Sequence, residues 1–226
     1  MRSKLVALIK KDLLSELRTK ETLLLHLALS LTLSVMVSFG IRTAFLPHST
    51  ILQLFPLFLW LIFLFSATVS ITRVVEYEYR LGALSGVLLT GVAPELVFLS
   101  KTIVTFFLTL AVHLLTFIFL GMLLDIPIFS LFLPFALLSL LVITGYAVLT
   151  VLLANITATS SLRGMLLPVV LLPLLFPLLF AALELSAVVM QDLSVPWGSS
   201  WSSVLFGFNI IYIALCPSLF AYVVTE

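Results

Sequence analysis

"RVVEYEYRLGALSGVLLTGVAPELVFLSK", residues 73–101, lies between two long apolar runs, and whether it enters the membrane with them sets the number and direction of the spans. It carries six ionisable residues, Arg73, Glu76, Glu78, Arg80, Glu95 and Lys101. At about 3 kcal/mol each, burying them in hydrocarbon costs on the order of 15 kcal/mol, against about 6 kcal/mol gained from the Leu, Val and Phe side chains. The stretch therefore stays outside the hydrocarbon. Leu81, Leu84 and Leu88 recur at i, i+3 and i+7, which predicts a two-turn helix with one apolar face, stopped at Gly91. Pro94 and Glu95 then read as the first turn of the next helix, where a missing N–H costs nothing and a carboxylate suits the helix dipole. Such a short helix has two destinations, the lipid headgroups or a groove in a separate protein.

The rest of the chain fixes its setting. Hydrophobic residues make up 62% of it and charged ones 9%, where soluble domains carry about 25% charged residues. An integral membrane protein follows. Crossing about 30 Å of hydrocarbon takes roughly 20 apolar residues, and six runs qualify: 23–41, 51–72, 103–124, 128–154, 165–189 and 204–224. The connectors are too short to hold a domain, so residues 1–226 form a single transmembrane domain, with 73–101 as its one sizeable segment between spans two and three. The net charge of +1 leaves no footprint for nucleic acid. One cysteine, Cys216, excludes a disulfide framework, and it reads as a small hydrophobe. No HExxH, CxxC or GxxxxGK[ST] occurs, so energy from ATP has to arrive through another polypeptide.

Lysine and arginine give the direction. Six precede span one (Arg2, Lys4, Lys10, Lys11, Arg18, Lys20), three lie in 73–101, and Arg163 follows span four; only Arg42 falls on the other side. Ten of eleven on one side predict cytoplasmic N- and C-termini. Residues 1–20 are too charged for a cleavable signal peptide, and no small-residue cleavage site follows span one. Within them Leu5, Val6, Ile9, Leu13 and Leu17 share one helical face, while Lys4, Lys11, Asp12 and Arg18 lie off it. This predicts an interfacial amphipathic helix along the inner leaflet. The expected fold is an all-α polytopic membrane protein: an N-terminal interfacial helix, six transmembrane helices and a cytoplasmic coupling helix. That layout resembles the type-2 permeases of ABC transporters, in which the helix after span two carries the movement of the ATPase into the membrane.

The residues themselves carry a closer resemblance. "KKDLLSELRTKETLLLHLALSLTLSVMVSF" at 10–39, "LFLWLIFLFSA" at 57–67 and the proline-stepped "RGMLLPVVLLPLLFPLLFAALE" at 163–184 are similar, in order, to the opening, second and fifth spans of the haem exporter protein B family, CcmB. In 73–101 the family's acidic-Gly-Thr-Leu-Glu-Gly/Gln-Leu-Leu-Leu pattern, followed by a proline, is met by Gly82, Leu84, Gly86, Leu88 and Leu89. Leu81 and Ser85 stand where that pattern has acidic residues, and Gly91 stands where it has proline. The resemblance implies a non-catalytic permease subunit of the bacterial inner membrane, working as a pair with the ATPase CcmA, alongside CcmC and CcmD. Together they act in the maturation of c-type cytochromes, where haem reaches the periplasmic carrier CcmE and ATP hydrolysis is tied to release of the loaded carrier. It also implies haem as a handled ligand rather than a cofactor held tightly by this chain. The ATPase-docking residues it points to are Leu81, Leu84 and Leu88 on the apolar face, with Glu76, Glu78 and Arg80 at the rim.

Contacts for haem or another substrate have bland counterparts. His113 is ionisable and lies inside span three, a functional signal by default, yet neutral imidazole also serves as a hydrogen-bonding partner between helices. His26 near the inner end of span one and His48 in the first outer loop carry less. Trp197 and Trp201 in "VPWGSSW" offer a flat apolar platform or, as tryptophans at a membrane face usually do, an interfacial anchor. Glu184 marks either a polar vestibule or a carboxylate reaching headgroups, and Asp125 reads as a boundary residue. Pro168, Pro173 and Pro177 each remove a helical N–H, so span five is expected to face the bundle interior or a seam between two copies rather than lipid. The outer loop after it, 185–203, is expected to hold a short helical "AVVMQDL" and a Pro-Trp-Gly turn. Two other classes of function stay open: a type-2 ABC permease for another amphiphile such as a lipid, drug or glycan precursor, and a non-ABC membrane protein, ion-coupled carrier or assembly scaffold. The second is short of the midplane charges that ion-coupled carriers use.

Overall fold

The structure, a computed structural model, describes residues 2–80, 86–87, 89, 91–158 and 163–225. Seven long helices run through them and no strand does: α1 Arg2–Thr19, α2 Glu21–Thr43, α3 His48–Arg80, α4 Pro94–Leu123, α5 Ile128–Ala158, α6 Arg163–Asp192 and α7 Ser200–Thr225. Helices α2 to α7 are each long and apolar enough to cross a membrane. Six crossings bring both chain ends to the same face, the one that holds α1.

In lipid every backbone N–H and C=O needs an internal partner, so a helix has no reason to stop where hydrophobicity stops. Helix α3 continues past its apolar part at Thr72 to Arg80, and α4 starts at Pro94, well before residue 103. Thus 73–101 is not one unit: 73–80 belong to α3 and 94–101 to α4. Of the segment between them, the start of α4 follows the sequence reading, while the expected two-turn helix over Leu81, Leu84 and Leu88 lies outside the described residues. Gly91 has φ +69°, a conformation that glycine adopts without strain; Ala93 is the N-cap of α4, and Pro94 and Glu95 form its first turn. A second extension corrects the outer loop. "AVVMQDL" is no separate loop helix, because α6 runs unbroken through it to Asp192, and the loop proper is 193–199.

Helix α5 is the axle of the bundle, packing on α3, α4, α6 and α7, while α2 packs on α3 and α4. The main core joins α3, α5, α6 and α7 around Trp60, Phe63, Tyr146 and Leu178; a second core, around Phe55, Phe117, Leu120 and Phe135, fills the end away from α1. At that end Arg42 caps α4, its Nη2 donating to the Leu123 carbonyl at 2.9 Å. A guanidinium there satisfies an orphan carbonyl and complements the helix dipole. This gives Arg42, the one basic residue of that face, a structural task. Close approach at the centre depends on Gly145 of α5: a Cβ there would collide with Leu178 Cδ2 of α6 and stand 3.1 Å from Asn209 Oδ1 of α7.

Helix α6 does not turn its prolines inward. Leu167, Leu171, Leu175 and Leu178 form its buried line, whereas Pro173 is exposed, Pro168 and Pro177 sit half-buried at the edge, and Val169, Phe176 and Phe180 point out. The expected interior placement of the proline face is therefore corrected within one copy of the chain. Leucines interdigitate with α5 at helical spacing, while a rigid ring that has lost its N–H adds no bond to that seam.

Candidate functional site

Two constellations stand out, one at the α1 face and one inside the bundle. At the α1 face, residues 73–80 carry α3 about 12 Å beyond Thr72 at 1.5 Å per residue. Glu76, Glu78 and Arg80 ride on this projecting helix, with side chains outside the described residues. Gly86 and Val87 are helical, and Leu81, Leu84, Ser85 and Leu88 lie outside the described residues. The returning arm is fastened. Ser100, fully buried on α4, donates its hydroxyl to Asp12 Oδ2 of α1 at 2.8 Å, and Lys11 Nζ lies 2.8 Å from the other carboxylate oxygen.

That contact overturns part of the amphipathic reading of α1. Asp12 is turned to the bundle rather than lying with the polar face, in company with Leu5, Leu8, Ile9 and Leu13, while Val6 is 63% exposed. A carboxylate is tolerated there because a hydroxyl and an ammonium both serve it. Lys20 then adopts the left-handed conformation, φ 55°, which turns α1 sharply into α2. This face offers a helix that continues to Arg80 and a returning arm tied to α1.

Inside the bundle the sequence signal at His113 leads to a cluster. The His113 imidazole is 1% exposed; Trp60 stacks on it at 4.9 Å and 23°, and Phe63 meets it edge-on at 5.1 Å. Neither of its nitrogens has a protein partner. Beside it the Trp60 indole N–H donates to Ser186 Oγ of α6 at 2.9 Å, tying α3 to α6. Phe63 also packs on Tyr146 at 5.0 Å, whose buried hydroxyl lies among those of Thr68 and Thr150 without a close bond to either. His26, on α2, lines a cavity of about 60 Å³ with Glu16, Ser70, Thr109 and Tyr146. With rings over it, His113 presents no opening for a flat macrocycle in this conformation.

The other candidates are scattered along the chain. Exposed His48 opens α3, and Glu184 is exposed near the far end of α6. Trp197 and Trp201 are 46% and 39% exposed, and the ring of Trp197 meets Phe206 at 6.0 Å. No trio of His, Cys, Asp or Glu able to hold a metal ion occurs among the described residues.

Six spans and an arm tied to α1 do not by themselves name a family, so the decision falls to comparison with known proteins. The model of one family, described as CcmB protein, matches residues 3–225, essentially the whole chain. The chain belongs to the CcmB family. It is therefore a multi-pass membrane protein of the haem-exporter type, an ABC permease component in cytochrome c maturation. No individually curated protein matches it. In this CcmB chain the residues that sequence reasoning missed are Asp12, Trp60, Tyr146, Ser186 and Asn209. Only Trp60 carried a signal, a tryptophan in mid-span rather than at an end; the others needed their neighbours to be seen.

Proposed function

We propose that this CcmB chain is the non-catalytic membrane subunit through which a separate ATPase of the CcmA type drives release of haem-loaded CcmE, in a complex with CcmC and CcmD. The chain works as a homodimer in the bacterial inner membrane, with α1 and both termini in the cytoplasm. Haem is cargo handled by the complex, and no cofactor is held tightly by this subunit. What supports the reading most is the family match over residues 3–225. The geometry adds a route for force. The ATPase docks on the segment after α3, with Leu84 and Leu88 in its groove and Glu76, Glu78 and Arg80 at the rim. Motion of that segment reaches α4 through the turn at Gly91 to Pro94 and reaches α1 through the Ser100–Asp12 bond.

Interface centres carry most of the binding energy and rim charges far less. Leu84→Asp or Leu88→Asp is expected to detach the ATPase on pull-down and stop cytochrome c output while the permease still accumulates; Glu78→Gln is expected to shift salt sensitivity more than assembly. Retention of a stoichiometric ATPase with full output in both Asp variants would refute the docking assignment. Orientation has its own test. Cysteines at Ser49, Asp125 and Ser199 should react with an impermeant thiol reagent in intact cells, and a cysteine at Ser85 should not.

A further inference from the structure

His26 and His113 are both buried within spanning helices, 6% and 1% exposed, yet their surroundings differ. Rings cover His113, and both of its nitrogens are shut away from any water-sized space. The His26 ring likewise takes no hydrogen bond from a described residue, but its nitrogens are not shut away: they open on the cavity of about 60 Å³ inside the corner between α1 and α2. The cavity begins beside Thr22, the first residue of the first span, and His26 stands one turn further in, a rise of about 6 Å.

Other polar side chains share the wall. Glu16 comes from α1, Ser70 from α3 and Thr109, 6% exposed, from α4. Ser70 gives its proton to the Ser66 carbonyl at 2.7 Å and keeps lone pairs with which to accept. An imidazole held in a membrane bundle with no hydrogen bond is costly. Cavities that stay dry are apolar ones, whereas about 10–15 Å³ and roughly two to four polar partners suffice to hold a water. This cavity meets both conditions, and the pocket of rings around His113 meets neither.

We propose that the cavity is a hydration site, in which ordered water entering at the α1–α2 corner hydrogen-bonds the His26 imidazole and is held in turn by the Ser70 and Thr109 hydroxyls and the Glu16 carboxylate. Water there gives His26 a path for proton exchange with the aqueous phase on the α1 side. His113, on the other side of Trp60 and Phe63, has none.

The three histidines are their own probes, because the C2–H of an imidazole is replaced by deuterium only where water reaches the ring. The full chain, with the partners it retains, is reconstituted in lipid nanodiscs, held in D2O and read by mass spectrometry of its histidine peptides. Exposed His48 should exchange fastest, and His26 at least about tenfold faster than His113, since exchange reports local opening to solvent. Thr109→Leu extends a branched side chain into the cavity and should bring His26 down to the rate of His113 while leaving His48 unchanged. If that variant does not fold, Thr109→Val, nearly isosteric but without the hydroxyl, should slow His26 about two- to fivefold, the effect of one lost hydrogen bond to the water. Equal rates at His26 and His113 in the unaltered chain overturn the proposal, whether both are silent, as in a dry bundle, or both exchange, as in a bundle that opens throughout. So does an unchanged His26 rate in whichever Thr109 variant folds.

Discussion

Helices α5 and α6 are almost equally apolar, with mean hydropathies of 2.4 and 2.6 over their spanning windows, yet 72% of the α5 window is buried against 33% of that of α6. Hydrophobicity therefore explains why both insert and nothing about where each stands. In lipid the tails are as apolar as leucine, so side chains are not driven together by the hydrophobic effect; close packing and internal hydrogen bonds decide instead. Helix α5 has what neighbours need: Gly145 admits α6 and α7, and Tyr146 and Thr150 are completely or almost completely buried. Helix α6 offers one leucine line inward and spends the rest of its surface on prolines and phenylalanines.

The strongest way to break this comparison is to enlarge a side chain on each helix. Gly145→Leu forces a branched side chain into Leu178 and Asn209, and overpacking of this kind costs about 1–3 kcal/mol or more. Loss of monodisperse protein, or a large fall in thermal stability in detergent, is expected. Val170→Leu on α6, where the residue is 39% exposed, should change stability by no more than about 0.5 kcal/mol. Equal tolerance of the two would show that burial in the bundle does not separate these helices.

Hydrogen bonds between helices come next in size. Trp60→Phe removes the indole N–H that reaches Ser186 and part of the ring stacked on His113, for an expected loss of about 1–2 kcal/mol. Tyr212→Phe removes only the hydroxyl that donates to the Leu174 carbonyl of α6 at 2.5 Å. Bonds of this type inside membranes average about 0.6 kcal/mol, so its thermal shift should be the smaller. A larger effect from Tyr212→Phe would mean that α6 is held mainly through α7 rather than through α3.

What was readable in the sequence followed from the same physics. The six spans announce themselves by length and hydropathy, and the entry to α4 was legible because Pro94 and Glu95 each answer a local backbone or dipole demand. Helix ends inside water were not legible. Past Thr72 and Val189 the residues turn polar, but a helix satisfies its own backbone in either medium, so α3 and α6 continue to Arg80 and Asp192. Interior faces were illegible for a further reason: in α5, apolar all round, no stripe marks the side that meets Trp60 or Asn209. Asp12 shows the limit from the other side, a charge that binary patterning places in water and that Ser100 draws into the bundle. For the docking helix the pattern of Leu81, Leu84 and Leu88 remains an argument from sequence, lying outside the described residues.

The smallest effect on the chain itself is expected on the outer face of α6, and it sharpens the comparison most. The rings of Phe176 and Phe180 meet there at 4.6 Å, tilted by 44°, 58% and 43% exposed, beside exposed Pro173. Pro173 has no N–H to offer the carbonyl of Val169, itself 65% exposed. Helix carbonyls that a proline leaves without their N–H are tolerated in a membrane where protein covers them, in keeping with the homodimer proposed above. Phe176→Ala should then leave the fold of the single chain within about 0.5 kcal/mol of the parent, because few of its contacts are internal, while lowering the dimer fraction measured by cross-linking in membranes. A cysteine at Val169 should cross-link to its counterpart in the second copy. If Phe176→Ala alters neither stability nor dimer fraction, and Val169→Cys gives no cross-link, the face belongs to lipid, and the prolines of α6 serve only to shape the helix that carries them.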